Sequence, residues 1–201
     1  MPLSQAAERT RLHTRKITVS GYRRADGLYD VEAQLIDTKT YRLPNEDRGT
    51  IEAGEPLHGM WLRMTLDETM CIVSCEAATD HGPYAVCPQA APNFARLAGL
   101  TIGRGFLKEA AGRVGGVAGC THLRELLQQM ATTAFQTIGP ARAKHELSRA
   151  RQPSGEELDR RISRHFGGPT QLLNTCLAYA ADGPVVKRRW PHLFEGERSA
   201  G

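Results

Sequence analysis

The chain has 201 residues, enough to bury one sizeable core without disulfide or metal staples. Hydrophobic residues make up 40% and charged residues 24%, which excludes a disordered chain. The 26 basic and 22 acidic residues leave a net charge of +4, too small and too scattered for a nucleic-acid footprint.

Met1 to Lys16 lacks the apolar run of a signal peptide, and no stretch reaches the length of a membrane span. The expectation is a cytoplasmic protein with neither nucleic-acid nor membrane partners. It should form a single domain over 1–201, with frayed ends at 1–11 and 192–201. Basic residues gather at Arg9, Arg11, Arg15 and Lys16, and again at Lys187, Arg188 and Arg189, where solvated faces explain them. The five cysteines, Cys71, Cys75, Cys87, Cys120 and Cys176, are read as reduced thiols.

The first half carries strand signals. "ITVSGYRRADGLYDVEAQL" places two β-prone runs around Asp26-Gly27, a hairpin turn dipeptide. In the second run Tyr29, Val31, Ala33 and Leu35 alternate with Asp30, Glu32 and Gln34, so one row faces a core. Arg42 to Pro56 is rich in charge, Gly and Pro and reads as a long surface loop. "HGMWLRMTL" and "TMCIVSCEA", separated by Asp67-Glu68, predict a second hairpin, with Cys71, Val73, Cys75 and Ala77 sharing one face.

Beyond Pro88 the periodicity turns helical. Short pieces are predicted around "APNFARLAGL" and "GFLKEAAGRV", with a break at Gly115-Gly116. The strongest helix follows, with Thr121 as its N-cap, Leu123, Leu126, Leu127, Met130, Ala134 and Ile138 on one stripe, and Gly139-Pro140 as its stop. A further helix is predicted over "SGEELDRRISRHFGG", and a last one from Thr170 to Ala181 with Leu172, Leu173, Cys176, Leu177 and Ala180 inward. Strands first and helices afterwards define an α+β protein, a mostly antiparallel sheet of hairpins with helices packed on it.

The chemistry concentrates in "GVAGCTHLRELL". Cys120 lies at the start of the strongest helix, where unpaired backbone N–H groups and the helix dipole favour a thiolate. His122 follows in the first turn, with Glu125 three residues later on the same side. A Cys-x-His pair needs further ligands to hold zinc, and "HGPYAVCP" offers His81 and Cys87 while "LHGMW" offers His58. Cys176 lies on an apolar stripe and reads as packing, although "LNTCLA" also makes it a possible contributor. No nucleophile elbow, P-loop or His-Glu-x-x-His motif is present.

Seven segments in order, "GYRRADGLYDVEAQLIDTK", "LHGMWLR", "PYAVCP", "GCTHLRELL", "ATTAFQT", "LNTC" and "DGPVVKRRWP", resemble a bacterial family described only as a domain of unknown function, DUF2889. The resemblance extends over roughly residues 12 to 191 and supports a single domain. It carries no activity and no residue roles. The family's "LNTC" segment is often followed by His, whereas Leu177 stands here, which weakens any metal role for that segment.

Two functional expectations follow. One is a small metalloenzyme of hydrolase or lyase type acting on a small molecule, with zinc or iron held by Cys120, His122, Cys87 and His58 and with Glu125 or Glu76 as general base. The other is a non-catalytic small-molecule-binding or accessory protein with structural cysteines. Thiol catalysis by Cys120 with His122 as base is a third route, and homo-oligomerisation is left open.

Overall fold

The computed structural model describes residues 3–149 and 172–196, with the side chains of 143–149 excepted. The chain divides into two compact units, Met1–Ile138 and Gly139–Gly201.

The first unit is α+β. Strands β1 (His13–Arg23), β2 (Tyr29–Lys39), β5 (Pro56–Leu66) and β6 (Ile72–His81) form an antiparallel sheet in the order β1-β2-β5-β6. The β1–β2 hairpin turns at Asp26-Gly27 as the sequence predicts: Gly27 has a φ of 89°, and Asp26 Oδ1 accepts the Leu28 amide at 3.3 Å. The β5–β6 turn is organised by Asp67, whose Oδ1 accepts the amides of Thr69 at 2.8 Å and Cys71 at 3.0 Å.

The segment expected as a bare loop between β2 and β5 contains a two-stranded ribbon, β3 (Leu43–Asn45) and β4 (Gly49–Ile51), whose Ile51 is buried. The proposed face of Cys71, Val73, Cys75 and Ala77 also needs correction. Register shifts between Thr65 and Leu66, so Ile72 opposes Leu66 while Ser74 opposes Thr65. Val73 is the inserted residue and is exposed; Ile72 and Cys75 are buried, and Cys71 precedes the strand. A bulge of this kind breaks the period of two on which the sequence reading relied.

One sheet face is apolar: Val31, Ala33 and Leu35 on β2 and Met60, Leu62 and Met64 on β5 are each no more than 1% exposed. Further apolar residues come from a 3-10 segment Cys87–Leu97, helix α1 (Phe106–Val114) and helix α2 (Thr121–Arg149). The stripe predicted for α2 is buried throughout, from Leu123 to Ile138.

The backbone of Gly21 on β1 meets α2 directly, since a Cβ there would lie 1.8 Å from Thr137 Oγ1. At the other end Arg15 of β1 pairs with Glu125 of α2. The rise from Arg15 to Gly21 along β1 is about 20 Å and that from Glu125 to Thr137 along α2 about 18 Å, so helix and strand run alongside each other.

The predicted stop at Gly139-Pro140 is not a stop, because α2 continues to Arg149 with Pro140 inside it. A proline removes one N–H and crowds the carbonyl four residues back, but residues on both sides can keep helical angles. The division between the two units falls there.

In the second unit the helix predicted from Thr170 to Ala181 does not run its length: among its described residues only Leu172 is α-helical, and turns follow from Leu173. Asn174 adopts a φ of 58° and Cys176 is extended, leaving turns and a 3-10 turn Leu177–Tyr179. The Asn174 Oδ1 accepts the Ala181 amide at 3.0 Å, a local bond that competes with helix. Cys176 and Leu177, expected inward, are exposed. Helix α3 (Pro184–Arg189) follows, and Trp190 stacks on Tyr179 with ring centroids 5.7 Å apart. The helix predicted over 154–168 lies outside the described residues.

Candidate metal centre

Strict alternation delivers three polar side chains to one end of the buried sheet face. On β2 the inward row of Val31, Ala33 and Leu35 continues to Asp37. On β5 the row of Leu62 and Met60 continues to His58, the register partner of Asp37. On β1 the partner of Asp37 is Arg15, in line with Ile17 and Val19.

Helix α2 starts above this end. The connection from α1 is tight, and only glycine fits it. A Cβ on Gly115 would lie 2.2 Å from the Ala111 carbonyl oxygen, and one on Gly119 would lie 1.8 Å from that of Val114. Asn93 Nδ2 ties the 3-10 segment to this turn by donating to the Ala118 carbonyl at 2.9 Å. Thr121 is the first helical residue rather than the cap; the Cys120 carbonyl accepts the Arg124 amide at 3.0 Å, which makes Cys120 the N-cap. The Cys120 Sγ sits 3.9 Å from Met60 Sδ and 4.0 Å from His122 Nδ1.

Asp37 is the buried hub. Its carboxylate accepts Arg15 Nε on Oδ1 and Arg15 Nη2 on Oδ2, both at 2.8 Å. His58 Nδ1 lies 3.0 Å from Oδ2 and His13 Nε2 lies 3.2 Å from Oδ1. Three hydrogen bonds, two from Arg15 and one with His58, engage the carboxylate, and His13 stands beside it as an ion-pair partner when protonated. Burial alone would raise the Asp37 pKa, but the hydrogen bond and charge of Arg15, joined by His58 and His13 when these are protonated, overbalance it and hold the group ionised.

An ionised carboxylate only accepts, so the proton between Asp37 and His58 sits on His58 Nδ1. Burial, then the neighbouring His122, pushes the His58 pKa down, and the ring is neutral near pH 7. Its Nε2 therefore carries a lone pair. Among the described residues no side chain hydrogen-bonds that nitrogen, and it is not among the fully buried atoms without a partner, so it reaches solvent at the edge of a residue that is otherwise only 8% exposed. The His58 and His122 ring centroids are 3.8 Å apart at 33°. Asp37, His58 and His122 each offer a nitrogen or oxygen, and these three atoms lie within 4.8 Å of one another.

The structure thus brings together His58 and His122 from the predicted set; Cys120 lies beside them, 4.0 Å from His122, without being one of the three grouped residues, and Glu125 is held at the rim through its ion pair with Arg15. Two predicted residues fall elsewhere. Cys87 opens the 3-10 segment, with its thiol against Gly82 and its amide donating to the Tyr84 carbonyl at 3.0 Å; it is not one of the grouped residues. Glu76 projects from the opposite face of the sheet and accepts Arg63 Nη1 at 2.6 Å. It helps line a shallow groove of about 320 Å³ that also includes Trp61 and Glu32. Sequence spacing places residues along the chain, but it does not decide which side of a sheet they meet.

Asp37, Arg15 and His13 were missed. The signal for Asp37 was present: a carboxylate at the next inward position of a row already read as buried. Arg15 was read as part of a solvated basic cluster, whereas its guanidinium is committed to that carboxylate. The Cys120–His122 separation exceeds the roughly 2.6–3.2 Å at which a base activates a nucleophile, so the pair is not arranged for thiol catalysis.

These features define an α+β protein in which a buried carboxylate and two imidazoles meet beneath the start of a long helix. The family described as "Protein of unknown function (DUF2889)" matches over residues 13–136, more than half of the chain, and the chain belongs to that family. The match spans His13 to Glu125, every residue of the cluster, and ends before the "LNTC" and "DGPVVKRRWP" segments. Neither the curated proteins nor the solved structures provide a significant match. No helix among the described residues is long and apolar enough to cross a membrane.

Proposed function

We propose that the protein is a small cytoplasmic metalloenzyme of hydrolase or lyase type, acting on a small molecule at a centre held by His58 Nε2, His122 and Cys120. Asp37 is then a positioning residue. It fixes the His58 tautomer and ring in the manner of the carboxylates that orient metal-ligating histidines. The observation that carries this reading is the pairing of His58 with His122 beside Asp37, with ligand atoms within 4.8 Å of one another, and with His58 Nδ1 anchored on Asp37 so that Nε2 is the nitrogen available to an ion.

A donor set of neutral imidazole and sulfur suits zinc or iron in preference to magnesium or calcium. Such an ion supplies Lewis acidity and lowers the pKa of a bound water. The remaining work belongs to the chain. Leu123, Leu126 and Met60, all buried, back the site with apolar surface. Glu125 stands one turn along α2 from His122, with its carboxylate half exposed, and is the group placed to take a proton from water or substrate.

Thermal unfolding of chelator-treated protein tests the reading. Adding zinc should raise the midpoint, because a ligand that binds only the folded state stabilises it by mass action. The same addition should leave His122→Ala unmoved. Equal shifts in both proteins, or no shift in the parent with either zinc or ferrous iron, would remove the metal from the account in favour of a binding protein.

A further inference from the structure

Resting on that reading of the centre, we infer that its substrate is an oxyanion, a small molecule bearing a carboxylate or phosphate, and that this group docks on Arg15 by displacing Glu125. Side-chain exposure increases steadily outward from the buried hub: 1% for Asp37, 10% for His58, 32% for Arg15, 37% for His13 and 51% for Glu125. The cluster therefore opens to solvent where Arg15, His13 and Glu125 stand. Arg15 divides its guanidinium between two very different partners. Its Nε and Nη2 make a bidentate pair with buried Asp37, the strong geometry for this side chain. Its Nη1 meets Glu125 in a single contact at the surface, the kind of pair that solvent screens and that contributes little.

An incoming oxyanion can replace Glu125 without disturbing Asp37. Two further features favour negative charge at this position. The start of α2, one turn before Glu125, carries the positive end of the helix dipole, and no partner for the amides of Thr121, His122 and Leu123 is found among the described residues. His13 adds a ring nitrogen on the same side of Asp37. Displacement also releases the Glu125 carboxylate from the cation that holds it, freeing it to act as a base only when substrate is present.

Calorimetric titration with inorganic phosphate and, separately, with acetate tests this on three proteins, the parent, Glu125→Gln and Arg15→Lys. Each is titrated as purified and after chelation, with metal content measured alongside. The parent should bind at least one of the two anions. Glu125→Gln, which removes the competing charge, should bind it about twofold to fivefold more tightly with metal content unchanged. Arg15→Lys, which loses the planar fork, should bind it more weakly. Anion binding that survives chelation, with the same response to Glu125→Gln, supports the Arg15 subsite even if the metal reading fails. Absence of binding in the parent, or a Glu125→Gln affinity equal to or below that of the parent, overturns the inference whatever the metal content. Should Arg15→Lys fail to fold, the Glu125→Gln comparison decides alone.

Discussion

Asp37 and His58 are register partners on adjacent strands, and their side chains meet at 3.0 Å between Oδ2 and Nδ1 at the buried end of the sheet. This contact gives His58 its function in the account, because a proton fixed on Nδ1 leaves Nε2 as the ligand atom. Asp37→Asn keeps the shape but removes the charge. Metal affinity should fall by about 10- to 100-fold rather than vanish, as expected for an orienting carboxylate. Stability should fall by on the order of 2 kcal/mol, because Arg15 loses its charged acceptor. Competition with a chromophoric chelator reads the first effect and urea unfolding the second. Complete loss of metal with unchanged stability would make Asp37 a direct ligand instead.

The close approach of β1 and α2 makes a separate claim about packing. Gly21→Ala forces a methyl group against Thr137, whose Oγ1 is held by the Thr133 carbonyl at 2.8 Å. The cost should be about 1–3 kcal/mol by overpacking. Thr137→Ala in the same chain should recover part of it. A double-mutant cycle by chemical unfolding checks this, and independent, additive effects would show that the two elements do not touch.

The metal-free protein should lose stability as pH falls from 7 to 5. Folded His58 has a pKa below its ordinary 6.5, so the unfolded chain takes up a proton that the folded ring refuses. Stability is therefore full above that value and declines below it until the folded ring also protonates. Burial sets this shift first, the charges of His122 and Arg15 add to it, and Asp37 opposes it. Asp37, with its lowered pKa, adds a second loss at more acid pH, as it is protonated in turn. His58→Gln should flatten the slope between pH 5 and 6.5 in thermal unfolding of chelated protein. An unchanged slope would assign the effect to another histidine.

The cysteines should differ sharply in reactivity. Cys75 is buried on β6, and burial pushes its thiol up to about 12, so little thiolate forms at pH 8. Cys176 is exposed. Iodoacetamide at pH 8 should label Cys176 in the folded protein and reach Cys75 only after unfolding, as peptide mapping by mass spectrometry would show. Labelling of Cys75 at a rate similar to Cys176 would place that strand outside the core.

Much of the fold was legible because it is written in local periods. The Asp26-Gly27 turn, the inward row from Tyr29 to Leu35 and the stripe from Leu123 to Ile138 each follow from side-chain direction alone. The reading failed where a tertiary or backbone event breaks the period. The bulge at Val73 exchanged which residues face the core, Pro140 proved compatible with a continuing helix, and Asn174 bent a helical-looking segment into turns. For the site, His58, Cys120 and His122 were recoverable as polar residues on elements expected to pack together. Asp37 required following the β2 row two residues further, and Arg15 required extending the first strand of the predicted hairpin upstream of Ile17 to its partner. Cys87 and Glu76 fit by residue type, but three-dimensional placement excluded them from the cluster.

The central claim is that His58 and His122 hold a metal ion together. Elemental analysis of protein purified without a histidine tag, under anaerobic reducing conditions, measures this directly in the parent, His58→Ala and His122→Ala. The account predicts close to one zinc or iron per parent chain and loss of that metal in both variants that remain folded. A parent without metal after reconstitution with either ion, or folded variants that retain a full equivalent, would contradict it.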